Sequence, residues 1–271
     1  MRRSVAVLLG SCTASVLVLT SMGGLGGSPE AQAASVGAVS HAPMIPAPGP
    51  HRFKAATAAP APWSSRNWSG YAVTGTGFTS VTGQWTVPTV IAPKRKRVSR
   101  FSSTWVGIDG FNNTSLIQAG TEQDWLGGVA QYQAWWEILP DPETAITMTV
   151  HPGDVMAVSI TQGFPDWTIT VSDQTTGKTF TTTPTYSGSL TSAEWIQEAP
   201  TVGNHIAALA HDSTVVFDLA TVNGSSPAFV KADSGTMVKH RKVISIPSLP
   251  NPAQDGFAVA FGKVAPPAPI I

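Results

Sequence analysis

Three neighbouring runs decide how this chain folds: Ser103-Thr104-Trp105-Val106-Gly107-Ile108-Asp109-Gly110, Leu116-Ile117-Gln118-Ala119-Gly120 and Tyr132-Gln133-Ala134-Trp135-Trp136-Glu137-Ile138. Each is short, rich in β-branched and aromatic residues, and followed by Gly, Asn or Pro, so each reads as a strand. In the third, alternation puts Tyr132, Ala134, Trp136 and Ile138 on one face and Gln133, Trp135 and Glu137 on the other. The first divides the same way, with Val106 and Ile108 opposite Trp105 and Asp109. A strand face turned to water normally carries Thr, Lys and Ser. Here it carries Trp, Asp, Gln, Trp and Glu, the composition of a binding groove.

Similar strand patterns continue to the C-terminus. Residues 81–87 form one, stopped by Pro88. Residues 146–150 and 155–160 flank a His151-Pro152-Gly153-Asp154 turn, and 167–171 and 179–183 flank Thr175-Thr176-Gly177-Lys178 as a hairpin. Residues 193–198, 215–222, 243–246 and 257–261 complete the series. There is no amphipathic helix and no internal repeat. About a dozen short strands of this kind imply one all-β domain, an antiparallel sandwich or barrel whose curved sheet offers a cleft on its concave side.

The chain has 271 residues, and the fold is expected to occupy 63–271. Arg2-Arg3, an apolar run over 5–22 and Ala31-Gln32-Ala33 make residues 1–33 a secretory signal peptide, so the protein is expected to be secreted. Ser and Thr interrupt the run and a Gly-rich piece follows it, which argues against a membrane anchor. No later run is long enough to span a bilayer. Residues 34–62 are rich in Ala, Pro, Gly and His without apolar periodicity, and read as propeptide or linker. His41, His51, Arg52 and Lys54 make this piece basic. As a propeptide it would lie on an acidic groove at neutral pH and leave on acidification; as a spacer it would simply be solvated.

Sixteen basic residues balance sixteen acidic ones, but from Pro60 onward 12 basic residues face 15 acidic ones. No broad basic face is present, which excludes nucleic acid as a partner. Charged residues are 12% of the chain, a low share that suits an acidic medium. The only cysteine, Cys12, lies in the signal peptide, which excludes thiol chemistry and disulfides from the mature protein. A domain of roughly 200 residues can be stable on core burial alone. Pro93-Lys94-Arg95-Lys96-Arg97 reads as a solvated loop more than a processing site.

No His-Glu-x-x-His motif occurs and the six histidines are scattered, so neither metal nor cofactor is expected. His205 and His211 read as surface or packing residues. There is no Gly-x-Ser-x-Gly elbow. Asp233-Ser234-Gly235 occurs once, whereas aspartic protease chemistry needs two such loops, so it reads as a turn. Carboxylate and amide chemistry remains. In Glu194-Trp195-Ile196-Gln197-Glu198, alternation sets Glu194, Ile196 and Glu198 on one face. From spacing alone, the plainer reading is an exposed edge strand carrying acids. Gln118, between Ile117 and Ala119, reads equally well as a hydrogen-bonded core amide.

The motifs Trp105-Val106-Gly107-Ile108-Asp109-Gly110, Leu116-Ile117-Gln118-Ala119-Gly120, Tyr132-x-Ala134-Trp135-Trp136-Glu137 and Ala193-Glu194-Trp195-Ile196-x-Glu198 together resemble the ordered motifs of the glutamic peptidases (eqolisins). Asn67-Trp68-Ser69-Gly70 resembles the start of their domain, and the similarity runs from Asn67 to Val264. The resemblance implies a concanavalin-like sandwich of two large curved antiparallel sheets with the active-site groove on the concave face. It implies an acid-acting endopeptidase, a monomer working on protein or peptide substrates, with a catalytic Gln and Glu that fall on Gln118 and Glu198. The carboxylate would take a proton from the attacking water and return it to the leaving amine. The amide would donate to the developing oxyanion. A glutamate carboxylate, which titrates near about 4.3 in water, is a usable base in acid.

Trp105, Asp109, Asp124, Trp135 and Glu137 match acidic and aromatic positions around the family's dyad, and Glu194 shares a strand face with Glu198. For the tryptophans, packing is an equal alternative. Gln133 stands where characterised members carry an acid. The stretch from Gln118 to Asp124 reads as a loop, longer than in the fungal relatives. The lack of disulfides fits a bacterial-type member. Two other readings use the same residues: a carbohydrate-binding sandwich stacking sugars on Trp105, Trp125 and Trp135, and a glycosidase pairing Glu198 with Glu194 or Glu137.

Overall fold

The computed structural model describes residues 38–47 and 62–270. The expected signal peptide, and most of the 34–62 segment, lie outside the described residues. The strands are β1 (Val39–Ser40), β2 (Trp63–Ser65), β3 (Trp68–Thr74), β4 (Ser80–Thr86), β5 (Ser103–Ile108), β6 (Ile117–Leu126), β7 (Val129–Ile138), β8 (Thr144–Ile146) and β9 (Val155–Gln162). They continue as β10 (Trp167–Asp173), β11 (Lys178–Thr182), β12 (Ser192–Glu198), β13 (Thr201–Val202), β14 (His205–Ile206), β15 (Val215–Val222), β16 (Ser234–Lys239), β17 (Lys242–Pro247) and β18 (Phe257–Phe261). The helical content among the described residues is a single 3₁₀ turn, Lys231–Asp233.

One large sheet runs β11-β10-β9-β4-β15-β18-β17-β16-β3-β12-β5-β6-β7-β8, with β2 parallel to β16. Its ends fold over one another as an antiparallel β-sandwich. Val81, Trp85, Met156, Ile160, Ile169 and Phe217 from one layer share a core with Tyr71, Val106, Ile117, Ala119 and Trp195 from the other. Two indoles tie the layers: Trp195 Nε1 donates to the Thr82 carbonyl at 2.7 Å, and Trp85 Nε1 to Thr121 Oγ1 at 3.0 Å. Both satisfy a polar atom that the core would otherwise strand. A small second sheet, β1-β13-β14, joins the segment before the domain to the chain after β12.

The alternation expected in the opening runs holds. Tyr132, Ala134, Trp136 and Ile138 pack with the main core, while Trp68, Trp105, Leu116, Trp135 and Ile196 form a separate cluster on the opposite face. Two expectations need correcting. Residues 118–124 are not a loop: β6 runs unbroken through them, paired with β5 and β7 along its length. Nor is the 193–198 strand an exposed edge. It lies between β3 and β5 with every residue buried, because both of its faces are covered. The expected strand at 146–150 instead ends at Ile146, where Met148 N turns back to donate to the Ile146 carbonyl.

Candidate active site

Side chains of β6 alternate strictly. Ile117, Ala119 and Thr121 face the core layer, and Gln118, Gly120, Glu122 and Asp124 face away from it. Gly120 is opposite Trp105 on β5 and Trp135 on β7. A Cβ there would come within 2.6 Å of the Trp105 Cβ and 2.2 Å of the Thr104 carbonyl. Its bareness lets two buried indoles lie side by side as a groove floor. Gln118 then projects from β6 at one end of that floor, next to Glu137 on β7. Glu198 ends β12, two residues beyond the strand position opposite Trp105.

Gln118 and Glu198 meet on one residue, His41. Gln118 Nε2 donates to the His41 carbonyl at 2.9 Å and to Glu137 Oε2 at 2.7 Å. The His41 ring brings Nδ1 to 3.2 Å from Glu198 Oε2. Trp105 Nε1 donates to the same Glu198 oxygen at 2.8 Å, and Asn67 Nδ2 approaches the other at 3.4 Å. His41 is fully buried, lying flat on Trp135 at 3.6 Å with Nε2 3.0 Å from Glu143 Oε2 and 3.9 Å from Glu122 Oε1. Residues 38–47 therefore thread the groove. Their backbone is gripped by Glu137 at His41 N, by Trp68 Nε1 and Asn67 at the Ala42 carbonyl, and by Gly110 at Met44 N.

Burying so many acids moves their titration. Burial raises Glu137 to about 7 against the pull of His41, and raises Glu122 to about 8 with added repulsion from Glu143. Asp124 is held well above its ordinary range by burial and by Glu122 beside it. His41 goes the other way from most buried histidines. Burial alone would lower it, but the hydrogen bonds to Glu143 and Glu198 and the charges of Glu198 and Glu137 hold it well above 6.5.

Most residues singled out from sequence gather here: Gln118, Glu198, Trp105, Trp135 and Glu137 form the groove around His41. Asp124 and Gln133 line an adjoining pocket of about 300 Å³ together with Val39, Glu122 and Glu143. Asp109 is elsewhere employed. Its carboxylate accepts from the Leu190 and Thr191 amides, Tyr186 and Asn113, and those bonds overcome burial to lower its pKa. Glu194 is fully buried with no hydrogen bond to either carboxylate oxygen, and burial holds it well above its ordinary value. Trp125 is turned into packing with Val90 and Ala210, its indole nitrogen on the Lys96 carbonyl, and is not available to stack on a sugar.

The residues missed are His41, Glu122, Glu143 and Asn67's contact with Glu198. Glu122 was within reach, since it follows Gln118 at a spacing of four on the same strand face. Glu143 follows β7 in a connection with no periodicity. His41 stood out only as part of a basic stretch. His41, Glu122 and Glu143 also have ligand atoms within 4.8 Å of one another, as a metal site would. There His41 Nε2 is engaged by Glu143 at 3.0 Å, while Glu122 Oε1 has no hydrogen-bond partner.

Comparison with known proteins agrees with this architecture. The family described as Peptidase A4 matches residues 66–245. Aspergillopepsin-2 of Aspergillus niger is 32% identical over 198 residues, covering 64% of this chain and 70% of the relative. The crystal structure of aspergilloglutamic peptidase from Aspergillus niger superposes with a TM-score of 0.50 at 29% identity, over 60% of this chain and 99% of that one. Scytalido-glutamic peptidase, solved with a transition-state analogue inhibitor, superposes with a TM-score of 0.61 at 23% identity, over 72% of this chain and 98% of that one. With an all-β sandwich, a groove floored by tryptophans and a family match across most of the domain, this chain belongs to the Peptidase A4 (eqolisin) family and is a glutamic-type endopeptidase.

Proposed function

We propose that the protein is a secreted endopeptidase acting in acid, with Gln118 and Glu198 as its catalytic dyad. The observation that supports this reading is that one peptide unit touches both, its carbonyl on the Gln118 amide and its side chain on the Glu198 carboxylate. Water held by Glu198 attacks the scissile carbonyl carbon while Glu198 accepts the water's proton. The carbonyl oxygen becomes an oxyanion on Gln118 Nε2. The C–N bond then breaks, and the proton held by Glu198 passes to the departing amine. Trp105 and Asn67 keep Glu198 in place. Glu137, raised to about 7 by burial, is neutral in acid, which removes a negative charge beside the donor that must stabilise the oxyanion.

The test is turnover of a protein substrate across acid pH by folded Glu198→Gln and Gln118→Ala variants. Loss of the base should lower kcat by about 10²-fold or more, and loss of the oxyanion donor by about 10²-fold. Wild-type turnover in both would sink the dyad. We further propose that residues 34–62 are a propeptide, since its described part, 38–47, fills the groove that a substrate must enter.

A further inference from the structure

The groove sorts its carboxylates by what they hold. Glu137 takes backbone and near-backbone groups of the segment, His41 N at 3.0 Å and Ser40 Oγ at 2.8 Å, contacts open to almost any peptide. Glu143 and Glu122 instead face the side chain of the residue whose carbonyl rests on Gln118, on the Nε2 edge of its ring, while Glu198 holds Nδ1 at 3.2 Å. That side chain is a planar, protonatable ring laid on Trp135, an arrangement in which an aromatic face favours a cation. Glu122 Oε1 is buried and has no hydrogen-bond partner, and it lies 3.9 Å from the imidazole, beyond that ring's reach. An acceptor left open at that distance suits a donor longer than histidine, such as a lysine ammonium or an arginine guanidinium.

We infer that Glu143, Glu122 and Trp135 form a cation-selecting subsite for the residue on the N-terminal side of the cut bond, so that the enzyme cleaves after histidine, lysine or arginine. This rests on the dyad reading, because it takes the carbonyl on Gln118 as the one attacked. The bond cut is that residue's C–N bond to the next residue; water supplies the hydroxyl to the carbonyl carbon and its proton to the new amine. An apolar side chain in the subsite would leave Glu143 without a partner for its charge and the buried Glu122 Oε1 without a donor, and an acidic one would meet like charge at Glu143. The segment blocks the groove by presenting a residue that the subsite prefers.

The full-length chain, after incubation in acid, should be given peptides Val-Ser-X-Ala-Pro-Met with X as His, Lys, Arg, Leu or Glu, at mildly acidic pH, with the products mapped by mass. We expect cleavage after X, with kcat/KM at least about tenfold higher for the cationic residues than for Leu, and lowest for Glu. Glu143→Gln should shrink the His-to-Leu ratio about tenfold, and Glu143→Lys should turn the preference toward Glu, a reversal that misfolding cannot mimic. A flat order in the wild type, a cut at another bond, or an unchanged order in Glu143→Lys would overturn the inference. A Glu198→Gln variant that cleaves at wild-type rates would instead defeat the dyad, whatever the order of preference.

Discussion

At Glu198, position matters as much as chemistry. One oxygen receives the Trp105 indole at 2.8 Å and the other faces Asn67 at 3.4 Å, the first from β5 and the second from the residue just before β3, the two strands that flank β12. Trp105 drew notice in the sequence as a possible sugar platform. In the structure it is fully buried and acts through its N–H. Trp105→Phe keeps the ring and removes that donor to a carboxylate. The variant should fold normally and lose about tenfold or more in kcat/KM, in line with a lost hydrogen bond to a charged group. Equal activity would mean that the indole only packs. Asp109 shows the opposite outcome. Its place in a family motif was legible, but four of its five hydrogen bonds, from Leu190, Thr191 and Tyr186, come from residues distant in sequence, the fifth coming from nearby Asn113, and no strand pattern announces them.

At the scale of elements, the decisive piece is the shortest. β1 and the residues after it lie across the groove through pairing with β13 and through bonds to β3 and β5 neighbours. If this is a propeptide, protein collected at neutral pH should start soon after Ala33 or Ala34 and be inactive. Acid incubation should move the N-terminus to residues 61–67 as activity appears. Full activity with an unchanged start would rule the propeptide out. The Pro-rich composition of 34–62 announced a segment unable to build a core of its own. It could not announce docking, because the apolar and acidic partners of His41 come from β6, β7, β12 and the connection after β7.

Over the whole molecule, buried acids set the pH range of stability. Burial raises Glu137 and Asp212 to about 7 and Glu122 to about 8, and His41 is also raised. For each, the folded state holds a proton that the unfolded chain would have released, so these contributions are lost as pH rises through the raised values. Asp109 and Asp173 have lowered values and contribute above the ordinary carboxylate range, a contribution lost only in stronger acid. Stability should therefore peak in mild acid, with Tm falling by about 5 °C or more between roughly pH 5 and pH 8. A Tm that rises over that interval would contradict the assignment.

By itself the sequence determined the all-β class, the faces of the three opening strands and the gathering of Gln118, Trp105, Trp135 and Glu137 on one side of them. Period-two alternation is a local property: a strand buried on one side must repeat its apolar residues every second position, wherever it lies in the sheet. Tertiary structure alone decided that β12 is central, that 118–124 continues a strand, that Asp109 anchors a loop, and that His41 joins Gln118 to Glu198. Each depends on which strand lies beside which and on what covers the outer face, contacts between residues far apart in the chain that no local pattern encodes.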